Sequence, residues 1–210
     1  NYAIKIIPDG DEGKLRGFRD EFFCAAQIPE HKNIAKSYHF DTRTLDGSEY
    51  SLIAMKAYDS TLNKPGPVTD KAVPEQKEHA WRLFCDLCNG LHHLHSHHIV
   101  HRDIKPQNIF YDEKAEAFVI GDLGIAHFKV DAFAKEARTK PTERLANYLF
   151  SAPEQADSKT QVTEAADIYS LGQVMQWYLT GATVRGQGST SFSESSQQEK
   201  LSILDAFTRK

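Results

Sequence analysis

The chain has 210 residues, of which 40% are hydrophobic and 26% are charged, and its net charge is −4 at pH 7. This balance is typical of a globular protein without the positive field that nucleic acid would attract, and no apolar run approaches the roughly 20 residues that a membrane-spanning helix needs. The three cysteines are too few for a disulfide framework and favour a reducing compartment, so we expect a cytoplasmic protein with no membrane segment in this chain.

The first third of the chain predicts two strands and one helix. β-Branched and apolar residues surround a single lysine in residues 2–7, and residues 51–56 are similarly apolar, so both segments are predicted strands. Between them we predict a helix over residues 16–27. The sequence Lys64-Pro65-Gly66-Pro67 then interrupts the pattern and marks a candidate boundary between two parts of the chain.

The rest of the chain predicts two long helices around a hairpin. The first helix, over residues 75–95, carries one apolar stripe at helical spacing: Ala80, Phe84, Leu87, Leu91 and Leu94. Residues 109–111 and 117–120 flank a polar turn and predict the hairpin. The second helix covers residues 164–180, with Thr163 as its N-cap and Gly181 as its stop. We also predict a polar, basic stretch over residues 129–144, a mobile loop over 182–198 and a helix over 201–210.

A polar segment between the first long helix and the hairpin concentrates side chains that can carry chemistry. His101-Arg102-Asp103-Ile104-Lys105-Pro106-Gln107-Asn108 resembles the catalytic loop of eukaryotic-like Ser/Thr protein kinases. Further segments match motifs of that family in the family's order: Ala3-Ile4-Lys5, Gly121-Asp122-Leu123-Gly124, Ser151-Ala152-Pro153-Glu154 and Asp167-Ile168-Tyr169-Ser170-Leu171-Gly172. Each motif alone is weak, but together they make residues 3–181 similar to a kinase catalytic domain.

The resemblance implies a role for each polar residue of these motifs. Phosphoryl transfer asks a protein mainly to position groups and to neutralise charge. By resemblance, Asp103 is expected to orient the attacking hydroxyl and accept its proton, and Lys105 to steady the γ-phosphate. Asn108 and Asp122 are expected to hold Mg²⁺, for which amide and carboxylate oxygens are suitable ligands.

The resemblance also implies a binding site for ATP. Lys5 is expected to bind the α- and β-phosphates and to be held by Glu21 of the first helix, with Asp20 and Glu12 as less favoured partners. The Asp of the later motif, Asp167, is expected to brace the backbone of the catalytic loop. On the adenine side, Met55 is expected to lie at the back of the site. Three hinge residues are expected to bind adenine through their backbone: Lys56, Ala57 and Tyr58.

The implied fold class is α+β. We expect a two-lobed protein-kinase-like fold, with a small antiparallel sheet lobe and a mainly helical large lobe. A partial small lobe would comprise residues 1–58 and a truncated large lobe residues 59–210. A Gly-rich phosphate loop is expected upstream of Asn1, and the last helices of the fold beyond Lys210. The expected partners are ATP and a protein substrate with a Ser or Thr hydroxyl, and nucleic acid is not expected.

Several positions depart from the family pattern or suggest regulation. Leu123 stands where the family usually has Phe and keeps an apolar plug. Ala146-Asn147 replaces the usual Gly-Thr, and the amide of Asn147 could replace the bonds that this Thr makes to the catalytic residues. Arg102, beside the catalytic Asp, favours a phosphate on Thr139 or Thr142 that orders the activation segment, and self-association of two copies would allow this phosphorylation.

Three other interpretations stay open. The same motifs could belong to a catalytically impaired pseudokinase that acts as a signalling scaffold, or to a small-molecule kinase of the same fold. The Ser-Ala-Pro-Glu segment and the roughly 30 residues before it favour protein substrates. Histidines crowd residues 92–101 after Cys85 and Cys88, which could indicate structural zinc, although both cysteines fall inside a predicted helix.

Overall fold

The computed structural model describes residues 1–66, 74–123, 149–156 and 160–183. In chain order, the strands and helices are β1 (Tyr2–Pro8), α1 (Glu12–Gln27), β2 (Ser37–Leu45), β3 (Ser48–Lys56), β4 (Ser60–Thr61), α2 (Pro74–Ser96), β5 (Ile109–Asp112), β6 (Ala117–Ile120) and α3 (Glu164–Thr180). Short 3-10 turns occupy Pro106–Asn108 and Pro153–Ala156. The predicted basic stretch over residues 129–144 and the predicted helix over 201–210 lie outside the described residues. So does the predicted loop over 182–198, except for its first two residues.

The first sheet has three antiparallel strands in the order β1-β3-β2. Its register pairs Lys5 with Ile53 and Ala3 with Met55, so these four residues share one face because side chains alternate along a strand. Strands β2 and β3 form a hairpin around Asp46-Gly47, both of which have positive φ (51° and 77°). Strand β2 was missing from the predicted elements, although Asp-Gly between apolar segments is a common two-residue hairpin turn.

Helix α1 begins four residues before the predicted start at position 16 because Asp11 caps it. The Asp11 carboxylate accepts hydrogen bonds from the N–H groups of Gly13 (3.0 Å) and Lys14 (3.3 Å), and Glu12 adds negative charge to the first turn. The helix buries Phe18 and Glu21. It therefore carries a buried carboxylate toward the face of the sheet that holds Lys5.

Helix α2 contributes its buried face to the hydrophobic core, and this face corrects one predicted position. Leu83 is fully buried, whereas Phe84 is 37% exposed, so Phe84 was wrongly assigned to the apolar stripe. The buried residues follow steps of three, four, four and three: Ala80, Leu83, Leu87, Leu91 and Leu94. Both Leu83 and Phe84 fit a helical period, and only packing against the rest of the core separates them.

The bounds of the β5–β6 hairpin and of α3 lie within one residue of the predicted bounds. Strands β5 and β6 pair antiparallel, and β4 adds to the same sheet. Gly181 ends α3 in the left-handed region (φ 73°), and its N–H donates to the carbonyl of Trp177 at 2.8 Å. Thr163 occupies the N-cap position but makes no side-chain capping bond.

The two sheets are joined through the segment that follows α1. The N–H of Ala35 donates to the carbonyl of Ile120 (2.7 Å), and the N–H of Ile120 donates to the carbonyl of Asn33 (2.8 Å). The Asn33 side-chain amide also donates to the carbonyl of Phe118 (2.8 Å). The architecture is α+β, a small antiparallel sheet with one helix above a mainly helical part, while the predicted boundary at residue 58 stays a prediction. No described helix has the length and apolar character to cross a membrane.

Candidate active site

Lys5 brings together residues that are far apart in the sequence. Its ammonium lies 2.6 Å from a carboxylate oxygen of Glu21 on α1 and 3.0 Å from one of Asp122, just after β6. Glu21 is therefore the partner of Lys5, as the sequence favoured over Asp20 and Glu12. The pairing of Lys5 with Asp122 spans 117 positions of sequence and places the first sheet against the loop that follows the hairpin.

A second cluster of polar groups lies around Asp103, which is only 5% exposed. The Lys105 ammonium donates to an Asp103 carboxylate oxygen at 2.9 Å. The Asn108 side-chain N–H₂ donates to the Asp103 carbonyl (2.9 Å) and to its carboxylate (3.1 Å). Because these bonds fix the amide with its nitrogen toward Asp103, the other end of the Asn108 amide is its oxygen, the atom suited to a cation.

The backbone before Asp103 is held by a fully buried carboxylate from α3. Asp167 accepts from the N–H groups of His101 (2.8 Å) and Arg102 (2.7 Å), and its carboxylate also contacts Nε2 of His95 at 2.8 Å. Arg102 has a positive φ of 66°, an unusual conformation for a side chain of that size. This carboxylate therefore stabilises a strained turn immediately before Asp103.

Two bonds to backbone carbonyls tie residues 101–108 to the loop that carries Asp122. Nε2 of His101 contacts the carbonyl of Gly121 at 3.0 Å, and the N–H of Gly121 donates to the carbonyl of Asn108 at 2.8 Å. Asp122 itself has a φ of 61°. The two candidate metal ligands, Asn108 and Asp122, are thus anchored to each other by neighbouring main chain.

The electrostatics of the site follow from one cation shared by two carboxylates. Burial alone would lower the pKa of Lys5, but Asp122 and Glu21 outweigh it and hold that pKa above its usual value. Burial and the charge of Asp122 raise the pKa of Glu21 from an ordinary 4.5 to about 7, despite the opposing pull of Lys5. Burial would also raise the pKa of Asp122, but Lys5, with smaller contributions from His101 and Lys105, holds it below its usual value.

The donor set fits a hard divalent cation. Asp122 supplies a carboxylate and Asn108 an amide oxygen, and Mg²⁺ is commonly held by one or two protein oxygens with waters and phosphates completing its shell. The charge of such an ion next to Asp122 would relieve the repulsion that raises the pKa of Glu21. These two residues would hold the ion.

The predicted hinge residues follow β3, but part of their backbone is already engaged. The N–H of Lys56 donates to the carbonyl of Lys36 (2.9 Å), and the N–H of Ala57 donates to that of Asn1 (3.3 Å). Among the residues that the structure describes, no backbone carbonyl accepts from the N–H of Tyr58, the third predicted hinge residue. Met55 lies opposite Ala3, on the same face of the sheet as Lys5, which is where a residue bordering the nucleotide site would lie.

Two residues near this region, Phe110 and Gly121, were given no role in the sequence analysis. Phe110, two positions after Asn108, stacks on Tyr58 with ring centroids 5.3 Å apart and planes 8° from parallel. A Cβ atom on Gly121 would overlap the Phe110 ring, so glycine is needed there by close approach. A glycine directly before Asp122 was the available signal, but only the folded chain shows which ring requires it.

Three histidines of residues 92–101 contact partners outside this stretch. His95 contacts Asp167, His101 contacts Gly121, and His93 stacks on His31 with ring centroids 4.6 Å apart. Within 1–66, 74–123, 149–156 and 160–183, no three His, Cys, Asp or Glu side chains gather in a group that could hold a metal ion. Gly124, the pair Ala146-Asn147 and the predicted phosphorylation sites Thr139 and Thr142 lie outside the described residues.

Comparisons with known proteins agree with the sequence motifs. The family profile described as "Protein kinase domain" matches residues 1–208. The chain is 33% identical over 189 residues to the membrane-associated tyrosine- and threonine-specific cdc2-inhibitory kinase wee-1.3 of Caenorhabditis briggsae, covering 89% of this chain and 26% of that protein. It is 32% identical over 164 residues to the serine/threonine-protein kinase PknB of Mycolicibacterium smegmatis (78% and 25%).

A third relative is described as inactive. The inactive serine/threonine-protein kinase PLK5 of Mus musculus is 30% identical over 188 residues, covering 86% of this chain and 28% of that protein. The chain thus spans about a quarter of the length of each of these three relatives.

Proposed function

Because the chain belongs to the protein kinase family, we propose that it is the catalytic part of an enzyme that transfers the γ-phosphate of ATP to a Ser or Thr hydroxyl of a protein. The observation that supports this best is the convergence of Lys5, Glu21 and Asp122 through contacts of 2.6 and 3.0 Å. These residues come from a strand, a helix and a loop, and such an arrangement positions a cation and a carboxylate over the phosphates of a nucleotide.

Each polar side chain has a task in the proposed reaction. Asp103 orients the substrate hydroxyl and accepts its proton as the oxygen attacks the γ-phosphorus and the bond to ADP breaks. Lys105, 2.9 Å from Asp103, neutralises charge on the phosphoryl group in transit. Lys5 binds the α- and β-phosphates. Asn108 and Asp122 would hold Mg²⁺, which would supply positive charge to the phosphate groups.

Serine and threonine are the proposed acceptors for two reasons. Lys105 occupies the position, two residues after Asp103, where the motif of Ser/Thr kinases has Lys. The relative PknB is described as a serine/threonine-protein kinase, although wee-1.3 is described as specific for tyrosine and threonine. The acceptor residue is therefore to be measured directly by phosphoamino acid analysis.

The alternative is a scaffold that keeps the fold without the activity. It is favoured by one observation, the likeness to PLK5, which is described as inactive. Against it, the chain keeps Lys5 and Asp122, and Asp103, Lys105 and Asn108 are joined by hydrogen bonds at 2.9 to 3.1 Å. A chain freed from selection for catalysis has no need to keep this arrangement.

The test is phosphate transfer from labelled ATP by the full-length protein, with a mixture of proteins and small metabolites as acceptors. We expect label on protein Ser or Thr, and a loss of about 10²- to 10⁴-fold in rate for Asp103→Asn. Asp46→Asn, in an exposed turn, is the matched control and should keep the parent rate. A parent that binds nucleotide but transfers nothing would favour the scaffold, and label on small molecules would favour the small-molecule kinase.

A further inference from the structure

The main chain of Arg102 is held on both of its sides, by residues from two different segments. Its N–H donates to Asp167 of α3 at 2.7 Å. Its carbonyl accepts from Nε2 of Gln155, also at 2.7 Å. Gln155 belongs to the 3-10 turn Pro153–Ala156, immediately after the Ser151–Glu154 motif, and is not part of any motif identified in the sequence.

Both ends of the Gln155 amide are used. While Nε2 donates to Arg102, the oxygen Oε1 accepts from the N–H of Ala152 at 3.0 Å. The Gln155 N–H in turn donates to the carbonyl of Ala152 at 3.0 Å, which closes the turn on itself. The residue is 8% exposed, so water offers these groups little replacement. Only a side chain of this length with one donor and one acceptor makes both bonds.

The bond to Arg102 acts where the backbone is under strain. Arg102 has a φ of 66°, and its carbonyl belongs to the peptide that leads directly into Asp103. A non-glycine residue keeps such a conformation only when its surroundings hold it. The orientation of that peptide fixes the direction in which the Asp103 side chain leaves the main chain.

We propose that Gln155 is a positioning residue that fixes the Arg102–Asp103 peptide and couples the end of the activation segment to the catalytic carboxylate. The inference rests on the proposed function, in which Asp103 contacts the substrate hydroxyl. A shift of residues 151–154 would then change the orientation of the Asp103 side chain through the contact that Gln155 makes. Nucleotide binding, which uses Lys5 and the hinge, does not pass through this contact.

The kinetic test compares Gln155→Leu and Gln155→Glu with the parent full-length protein. Gln155→Leu keeps the shape and removes both bonds, and we expect kcat to fall about tenfold while the KM for ATP stays unchanged. Exposed Gln161→Leu is the matched control and should behave as the parent. Equal kcat in Gln155→Leu and parent would overturn the proposal.

Gln155→Glu separates positioning from general structural support. Its carboxylate cannot donate to the Arg102 carbonyl, whereas the protonated acid both donates and accepts, as the amide does. The ratio of variant to parent kcat should therefore rise as the pH falls from about 8 to about 6, because burial favours the protonated acid. A ratio that stays low at every pH, with a lowered melting temperature in both variants, would show a structural role only and overturn the proposal.

An independent measurement keeps the test valid if the parent transfers no phosphate. Hydrogen exchange of the Asp103 amide, which belongs to this peptide, and of the neighbouring Arg102 amide reports on its order without any catalysis. We expect exchange at these amides to accelerate at least tenfold in Gln155→Leu and to be unchanged in Gln161→Leu. Unchanged exchange in Gln155→Leu would overturn the proposed positioning role of Gln155. An inactive parent with accelerated exchange in Gln155→Leu would instead reject the proposed function, while the bond from Gln155 to the Arg102 carbonyl would still be shown to hold the peptide.

Discussion

Replacing Glu21 by Gln should change how the stability of the protein depends on pH. In the folded chain the pKa of Glu21 is raised from 4.5 to about 7, first by burial and then by the charge of Asp122. Between these two values the folded state binds more protons than the unfolded state, so the free energy of unfolding falls as the pH rises. The side-chain amide of the Glu21→Gln variant does not titrate, so this part of the pH dependence is absent there.

The two pKa values set the size of the effect. A shift from 4.5 to about 7 corresponds to a loss of about 2 to 3 kcal/mol of stability between about pH 5 and about pH 8, with most of it below pH 7. Urea unfolding of the parent and of Glu21→Gln at four pH values measures the difference directly. Asp122→Asn is the matched control, because it removes the repelling charge while Glu21 remains. It should make the free energy of unfolding depend less on pH, so that its curve lies closer to that of Glu21→Gln.

Parallel stability curves for the parent and Glu21→Gln would refute this reasoning. They would mean that the Glu21 carboxyl titrates as in water and that Asp122 is not close enough to repel it. In the same experiment with Mg²⁺ and an ATP analogue, the free energy of unfolding of the parent should depend less on pH. The ligand's cation beside Asp122 would offset that repulsion and lower the pKa of Glu21.

Two further expectations follow from packing. Leu83→Ala should cost about 2–5 kcal/mol in urea unfolding because the side chain is fully buried, whereas Phe84→Ala should cost less than about 1 kcal/mol, and equal costs would contradict the assignment of the α2 core. Gly121→Ala should displace the ring of Phe110 and weaken nucleotide binding about tenfold in a fluorescence titration. Phe110→Leu in the same background should restore part of that affinity, and parent-like binding by Gly121→Ala alone would contradict this account.

The catalytic loop and the Asp122 motif could be found in the sequence because their chemistry is local. Asp103, Lys105 and Asn108 lie within six positions, and the spacing of such polar groups is visible without coordinates. Long helices were also accessible, since the period of α2 and α3 extends over several turns. The roles of these residues in catalysis stay predictions until the variants are measured.

Two of the features that the sequence analysis missed depend on contacts between distant segments, and two others had local signals. Phe84 and Leu83 both fit the period of α2, and only the position of the core shows which is buried. The starting point of α1 depended on the Asp11 cap, and the hairpin of β2 on its Asp-Gly turn, two local signals that were available in the sequence. Gln155 carried no local signal, because its partner lies 53 positions away.

The most direct test of the central claim is a crystal structure of the full-length protein with Mn²⁺ and a non-hydrolysable ATP analogue. Anomalous scattering locates Mn²⁺, which prefers the same oxygen ligands as Mg²⁺. We expect the metal in contact with Asn108 and Asp122, with the α- and β-phosphates on Lys5 and the γ-phosphate beside Asp103. Metal and nucleotide bound at any other place, with these four side chains left out, would contradict the account.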